Sequence, residues 1–476
     1  MRKNLMVFVL IFLASPAVTA NTLPLPPRFD TKYGAYSLGE DELVDDAAEG
    51  GMSYNMRQYR WGQLEVAQDV FRFDEIDEWY YGALEPNGVG AILILRTGQC
   101  WATDNSYDPD LGIPLPSASS APPLEYGDYY DFIYRVVDHF RGDIEQIIIE
   151  NDPLTKHQWY GTPEEYKQLT AVAYQAAKDA NPRCVVIGNK FPAMSFGYLI
   201  ASDLVEEGKY EEALDFWNGY HSRRHERWQA GNLAELTEFL TSDFSLWAIP
   251  FADAILEPDQ AGHLDALGFN YYLHYDYIDD VVGWLTAQMQ KNGYSRHLID
   301  LEHGVKDERS VVNDNTAAQE LVKGYAITHS LGVEYVSWYP FTLDTLSHNF
   351  ENLKLMYDYA NAQFFPVYYA MRNFAGHCTP RHRFHSQGSS SFERYSFENR
   401  DSKLVDLDIV WSDAGDTTVA FPFRPSFRYA IVTSYLGDSA DTLRKEGDTI
   451  TLSIKRGPKL IQWKKALGLS HHEPGK

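Results

Sequence analysis

Three isoleucines, Ile147 to Ile149, run without a break into Glu150-Asn151-Asp152-Pro153. An apolar run that stops abruptly at polar and charged residues is the signature of a strand buried on both faces, with helices covering both sides of its sheet. His297-Leu298-Ile299-Asp300-Leu301-Glu302-His303-Gly304 repeats the pattern. In α/β folds built this way the carboxyl ends of the strands carry the chemistry. Two buried strands, each delivering a carboxylate at its end, are the ingredients of a two-carboxylate site.

The same grammar recurs along the chain. Residues 33–38, 54–61, 91–96, 146–149, 184–188, 266–272, 297–302 and 333–339 read as strands. Helical patterns separate them over residues 40–49, 73–84, 126–140, 163–180, 277–291 and 316–330, and residues 364–374 close the series. Asp74 stands where an N-cap belongs. Thr162-Pro163-Glu164-Glu165 combines an N-cap, a proline at the first helical position and a glutamate at the third. Residues 196–262 are longer than one connection needs and read as a mostly helical excursion between strands five and six. Eight βα units without long hairpins predict a (β/α)8 TIM barrel over residues 21–378.

Past Cys378 the period changes. Residues 392–397, 405–411, 417–421, 429–433 and 449–455 are short alternating runs broken by Gly and Asp. They predict a small C-terminal antiparallel β module, sandwich-like, over residues 379–476. The first 20 residues carry Arg2-Lys3, an apolar run from Leu5 to Ala14, and Val18-Thr19-Ala20. That order predicts a signal peptide cleaved before Asn21, and hence a secreted or periplasmic chain. No later segment approaches ~18 uninterrupted apolar residues, the length a membrane-spanning helix needs.

The net charge of −26, from 41 basic and 67 acidic residues, disfavours nucleic acid and anionic membranes as partners. Three cysteines leave one unpaired in any disulfide scheme. Cys184 opens a strand and reads as a buried free thiol. Aromatic residues make up 14% of the chain. They crowd the segments after strands, at Trp101, Trp159, Tyr271, Tyr272, Trp338 and Tyr339. Such faces suit stacking on sugar rings, though aromatics also fill cores.

The order of features is more specific than any one of them. Arg57 with Trp61 and Glu65 comes first, followed by Phe73-Asp74 and Ile76-Asp77. A strand then ends in Gly98-x-x-Trp101-Ala102, followed by Asn151-Asp152-Pro153 and by Trp159-x-Gly161-Thr162-Pro163-Glu164-Glu165-Tyr166. This set resembles the clan of (β/α)8 retaining glycoside hydrolases with catalytic residues on strands four and seven. Within the clan it is most similar to the β-xylosidase and α-iduronidase family, glycoside hydrolase family thirty-nine. The resemblance covers essentially the whole chain after the signal segment. It implies that Glu302 falls on the nucleophile, Asn151 on the sugar-binding asparagine, and Arg57 on the arginine that keeps the nucleophile ionised. Trp338 falls on the aromatic of strand eight, and Trp101 and Trp159 join it as candidate sugar platforms. The His-x-Tyr of strand six appears as Asn270-Tyr271-Tyr272, matched at Tyr272 and replaced at Asn270. No cofactor and no metal is implied.

The sharpest departure is Asp152, where the resemblance calls for a glutamate as acid/base. A retaining site holds its carboxyl groups ~5–5.5 Å apart, and an inverting one ~6.5–9.5 Å apart to admit a water. Asp is one methylene shorter, and a misplacement of roughly 1 Å can cost on the order of 100-fold in rate. Glu150 shares the inward side by strand alternation and is the alternative donor, behind Asp152. The expected activity is hydrolysis of a β-linked glycan with retention, Glu302 attacking and Asp152 protonating. Two rival expectations stand beside it. One is a catalytically silent carbohydrate-binding protein that keeps the cleft, and the other is a barrel enzyme with lyase or inverting chemistry.

Other constellations are weaker. His221-x-x-x-His225-Glu226 lacks the zinc-protease order and reads as a solvated helix. His377, Cys378, His382 and His385 are spaced too irregularly for a structural metal. The chain has no Gly-x-Ser-x-Gly elbow, no P-loop and no dinucleotide fingerprint.

Overall fold

The computed structural model describes residues 29–36, 38, 41–103, 119–342, 352–389, 392–444 and 448–465. The predicted signal segment and the middle of the proline-rich loop after the third strand lie outside the described residues. Eight parallel strands close into a barrel: β1 (Tyr33–Tyr36), β2 (Tyr54–Arg60), β3 (Gly90–Arg96), β4 (Gln146–Ile149), β5 (Val185–Phe191), β6 (Ala266–Tyr271), β7 (His297–His303) and β8 (Tyr335–Trp338). Each is hydrogen-bonded to its neighbours in chain order, and β8 closes onto β1.

Two apolar layers hold this arrangement. Met56, Ile92, Ile94, Ile148, Ile187, Ile299 and Leu301 fill the barrel interior. The opposite faces of the same strands, through Leu93, Ile147, Ile149, Val186 and Leu267, pack under the surrounding helices. That two-sided burial is why the strands read as continuous apolar runs. The helix over Pro163–Ala180 starts as its sequence demands: Thr162 and Glu165 bond each other's backbone amides at 3.2 and 2.7 Å. The helix after β2 begins at Asp74 with Phe73 at the cap, and its second part, Glu78–Leu84, is a π-helix.

Two strands depart from simple alternation near their carboxyl ends. On β5, Gly188 pairs with Leu267 and Phe191 with Phe269, so three steps on β5 face two on β6. On β7, Phe269 pairs with Asp300 but Asn270 pairs with Glu302. The neighbour on the other side agrees, since Val336 and Trp338 pair with Asp300 and His303. Each strand therefore carries one extra residue, a β-bulge, which re-aims the side chains beyond it. The bulge on β7 is seated on Gly268, where a Cβ would collide with the Leu301 side chain.

The C-terminal region forms a six-stranded antiparallel sheet and a separate two-stranded antiparallel sheet. Its strands are β9 (His382–Ser389), β10 (Glu393–Asn399), β11 (Leu404–Trp411), β12 (Thr417–Pro422), β13 (Tyr429–Ser434), β14 (Ala440–Arg444), β15 (Thr449–Ile454) and β16 (Lys459–Lys464). The sheet order is β9-β10-β11-β16-β13-β14, and β12 pairs with β15. One face of the sheet, with Tyr395, Phe397, Leu407, Ile409 and Trp411, belongs to the same core as the barrel helices. The other face packs Val410, Ile461 and Trp463 against Phe421, Ile450 and Leu452 of the two-stranded sheet. Lys323 of the last barrel helices reaches Asp413 at 2.6 Å, tying the two regions together.

β9, β14 and β16 were not legible in the sequence. β9 runs His-Arg-Phe-His-Ser-Gln-Gly-Ser and lacks an apolar alternation because much of it is exposed. All three cysteines are free.

Candidate active site

The carboxyl ends of the strands open into a cavity of about 480 Å³ lined by Asn151, Asp152, Asn270, Tyr272 and Glu302, among others. That volume is within the ordinary range of a small-ligand pocket. The five residues come from β4, β6 and β7, as the strand-end reading expected.

Glu302 is buried, with 8% of its side chain exposed. The phenol of Tyr272 donates to its Oε2. The ammonium of Lys190, at the bulged end of β5 and without solvent exposure, pairs with its Oε1. Lys190 also donates to Asn151 Oδ1 at 2.5 Å, lies 3.9 Å from Asp152 Oδ1, and sits over the ring of Tyr36. Asp152 accepts from Asn270 Nδ2 at 3.1 Å. One buried cation thus binds the carboxylate at the end of β7 to the two polar residues after β4.

The pairing bears on protonation. About one-fifth of the Asp152 side chain is exposed. Burial of the rest pushes its carboxyl up to about 6, with Lys190 pulling down, Glu302 pushing up, and Arg96 and the Asn270 hydrogen bond pulling down. A carboxyl that holds its proton near neutrality is suited to donate it. Burial, followed by the charge of Glu302, holds the Tyr272 phenol well above its usual range, so it stays a donor.

The backbone after β4 is irregular. Glu150 and Asp152 both adopt left-handed conformations, with φ of 62° and 49°. Such values are uncommon outside glycine, and they mark a turn shaped by its surroundings. Glu150 has no exposure and does not line the cavity. Its carboxylate accepts from the Thr97 amide at 2.6 Å and pairs with Arg96 at 3.4 Å. It anchors the end of β3, and the donor position is left to Asp152.

Four expected residues lie elsewhere. Arg57 is on the outer side of β2, because Tyr54 and Met56 face the interior; its guanidinium lies 5.6 Å from the centre of the Trp79 ring. The cation expected from β2 comes instead from β5, as Lys190. Trp338 faces outward from β8, fully buried, and donates to the Lys354 carbonyl at 3.2 Å, while Tyr339 faces the cavity. Trp159 is fully buried against Tyr166 and donates to the Thr162 carbonyl. Trp101 packs edge-on to Trp61 and donates to the Glu65 carbonyl at 3.0 Å. None of the four lines the cavity. The aromatic wall is made by Tyr36, Tyr272 and Tyr339.

The sequence reading also passed over residues that matter here. Lys190 ends a buried Val-Val-Ile run, the same signal that singled out β4 and β7. Arg60, Arg96, Arg224, Lys306 and His221 line the cavity as well. The expectation of a solvated helix at His221 is corrected: the helix ends at Tyr220, and His221 is fully buried beside Trp217 and Trp228. No group of metal-ligating side chains is present among the described residues.

No protein-family model matches this sequence, and neither does any curated protein. The fold does match solved structures. A family 39 glycoside hydrolase from the gut symbiont Bacteroides cellulosilyticus WH2 aligns with a TM-score of 0.62 at 13% identity, covering 92% of this chain and 81% of that one. A GH30 endoxylanase from Clostridium papyrosolvens C71 aligns with a TM-score of 0.59 at 12% identity, covering 92% and 97%. A monomeric β-xylosidase from Caulobacter crescentus CB15 aligns with a TM-score of 0.55 at 13% identity, covering 92% and 96%. The chain therefore has the fold of these glycoside hydrolases, barrel and β region together.

Proposed function

We propose that the protein hydrolyses O-glycosidic bonds of a glycan, with Glu302 as nucleophile and Asp152 as proton donor. The observation that carries this reading is the single ammonium of Lys190 shared by the two carboxylates. It is hydrogen-bonded to Glu302 and 3.9 Å from Asp152. With an ordinary hydrogen bond on one side, the nearest carboxylate oxygens are no more than about 7 Å apart. That bound leaves out most of the inverting range and admits the retaining spacing, which supports retention. In the first step Glu302 attacks the anomeric carbon while Asp152 gives its proton to the departing oxygen. In the second, Asp152 takes a proton from water, which releases the sugar from Glu302. Lys190 and Tyr272 hold the Glu302 carboxyl in place, and Asn270 orients Asp152. Export through the N-terminal segment belongs to the same proposal, since a polymeric glycan is met outside the cell.

One observation favours a second reading. Both oxygens of Glu302 are already engaged, by Lys190 and Tyr272, and its side chain is scarcely exposed. A carboxylate so neutralised is a weak nucleophile, and the cleft then serves as a carbohydrate-binding site without turnover.

Activated aryl glycosides of several sugars separate the two. A good leaving group does not need protonation, so such substrates interrogate Glu302 alone. Release by the wild type that vanishes in Glu302→Ala supports hydrolysis. No release across the panel, from folded protein that still binds oligosaccharides, establishes the silent reading.

A further inference from the structure

On the wall of the same cavity, two cations compete for one carboxylate. Arg224 comes from the turn that follows the helix Tyr210–Tyr220, and Lys306 from the loop four residues after Glu302. Both depend on Glu308, Arg224 Nε at 3.4 Å and Lys306 Nζ at 3.5 Å. Glu308 also accepts from the His225 amide at 3.1 Å. Arg224 Nε makes no hydrogen bond, although it is within ion-pair distance of Glu308. Its guanidinium lies over Trp228, 3.8 Å from the ring centre. His221, fully buried and lining the same cavity, has both ring nitrogens without a hydrogen-bond partner.

Burial and then the neighbouring Arg224 lower the Lys306 ammonium, while Glu308 raises it. The group is thus one positive charge in excess, partly desolvated and short of acceptors. Of the other cations that line the cavity, Arg60 has no carboxylate partner among the described residues, and Arg96 pairs with Glu150. All this sits within a chain whose net charge is −26. Elsewhere such a chain repels anions; here its cavity wall is cationic.

We propose that Arg224, Lys306 and His221 form a subsite for an anionic substituent, a carboxylate or a sulfate ester, on the sugar chain that the cleft binds. The inference rests on the reading of this cavity as a glycan cleft, but it does not require turnover. A half-buried guanidinium and an ammonium present charge-assisted donors to an anion, and each such bond is about twice as strong as a neutral one. A neutral sugar hydroxyl in that place leaves the excess charge uncompensated, which is how a site rejects the wrong ligand.

The test is a binding titration on Glu302→Gln, so that hydrolysis does not enter. The probes are oligogalacturonate, oligoguluronate and sulfated galactan oligosaccharides, each beside its carboxyl-reduced or desulfated counterpart. We expect at least one acidic probe to bind about tenfold or more tightly than its neutral form. That preference should weaken with added salt, collapse in Lys306→Gln, and collapse further in Arg224→Gln, with thermal unfolding confirming that both variants are folded. The pair that shows the preference identifies carboxylate or sulfate as the anion. Equal binding of every acidic and neutral pair, or a preference unchanged in both variants, overturns the proposal. An acid preference without hydrolysis by the wild type sinks the hydrolase reading alone, and hydrolysis of neutral glycosides without the preference sinks this one alone.

Discussion

The strands of the barrel end in two different ways. β2 and β8 keep a strict two-residue alternation to their carboxyl ends, so the parity set by Met56 and Tyr335 inside the barrel carries Arg57 and Trp338 outside it. β4, β5 and β7 break alternation, through two left-handed residues on one and a bulge on each of the others. Those irregular ends supply Asn151, Asp152, Lys190 and Glu302. Without its bulge, a strand with Ile299 facing inward would turn Glu302 outward under the helices. The regular ends build the wall, Arg60 of β2 included, and the irregular ends hold the two carboxylates with the lysine between them. Irregularity costs backbone strain and lost ladder hydrogen bonds, so it persists where surrounding contacts over-determine it.

Variants can break this comparison or sharpen it. Under the hydrolase reading Glu302→Ala removes the attacking atom and should lower aryl glycoside hydrolysis by about 1000-fold or more. Added azide should restore release, with a glycosyl azide as product; hydrolysis retained in the variant without azide would place the nucleophile elsewhere. Lys190→Met leaves Glu302 buried without its cation. Such removals cost about 3–5 kcal/mol, which denaturant unfolding would register as a large drop in midpoint. An unchanged midpoint would mean that the ammonium contributes little to holding the strand ends together.

Asp152 gives the next effect, in pH dependence. Burial pushes its carboxyl from the ordinary value of 3.8 up to about 6. As proton donor it is competent below that point, so kcat/KM for substrates with poor leaving groups should fall about tenfold per pH unit above it. The stability sign follows the same shift. A raised carboxyl favours the fold most below its unfolded value, and that contribution is lost as pH rises through about 6. Asp152→Asn should therefore gain on wild type between about pH 4 and about pH 7, by on the order of 1 kcal/mol. A gap that stays flat over this window would place the proton on another group.

Gly268→Ala tests the bulge itself. The new methyl meets Leu301, and overpacking there should cost about 1–3 kcal/mol while displacing Glu302 from Lys190. Loss of stability with full retention of ligand binding would show that the bulge does not set the aim of Glu302. The smallest effect is expected at a regular end. Arg57→Met should leave hydrolysis and oligosaccharide binding unchanged and shift stability by no more than about 1 kcal/mol, the loss of a cation–π contact. A large loss of activity would bring β2 back into the site.

What the sequence determined by itself was the architecture and the two strands that bear carboxylates. The reason is that two-sided burial writes continuous apolar runs, and a run ending in charge can only end where the barrel opens. Capping chemistry was local enough to read as well, as Thr162 and Glu165 show. Tertiary structure alone decided which side chain at each strand end faces the cavity. Bulges and left-handed residues depend on register with neighbouring strands, and Gly268 accommodates Leu301 from a strand 33 positions away. The cation that pairs Glu302 was decided the same way. Arg57 and Lys190 are both basic residues near strand ends, and only the parity of β2 and the extra residue in β5 distinguish outside from inside.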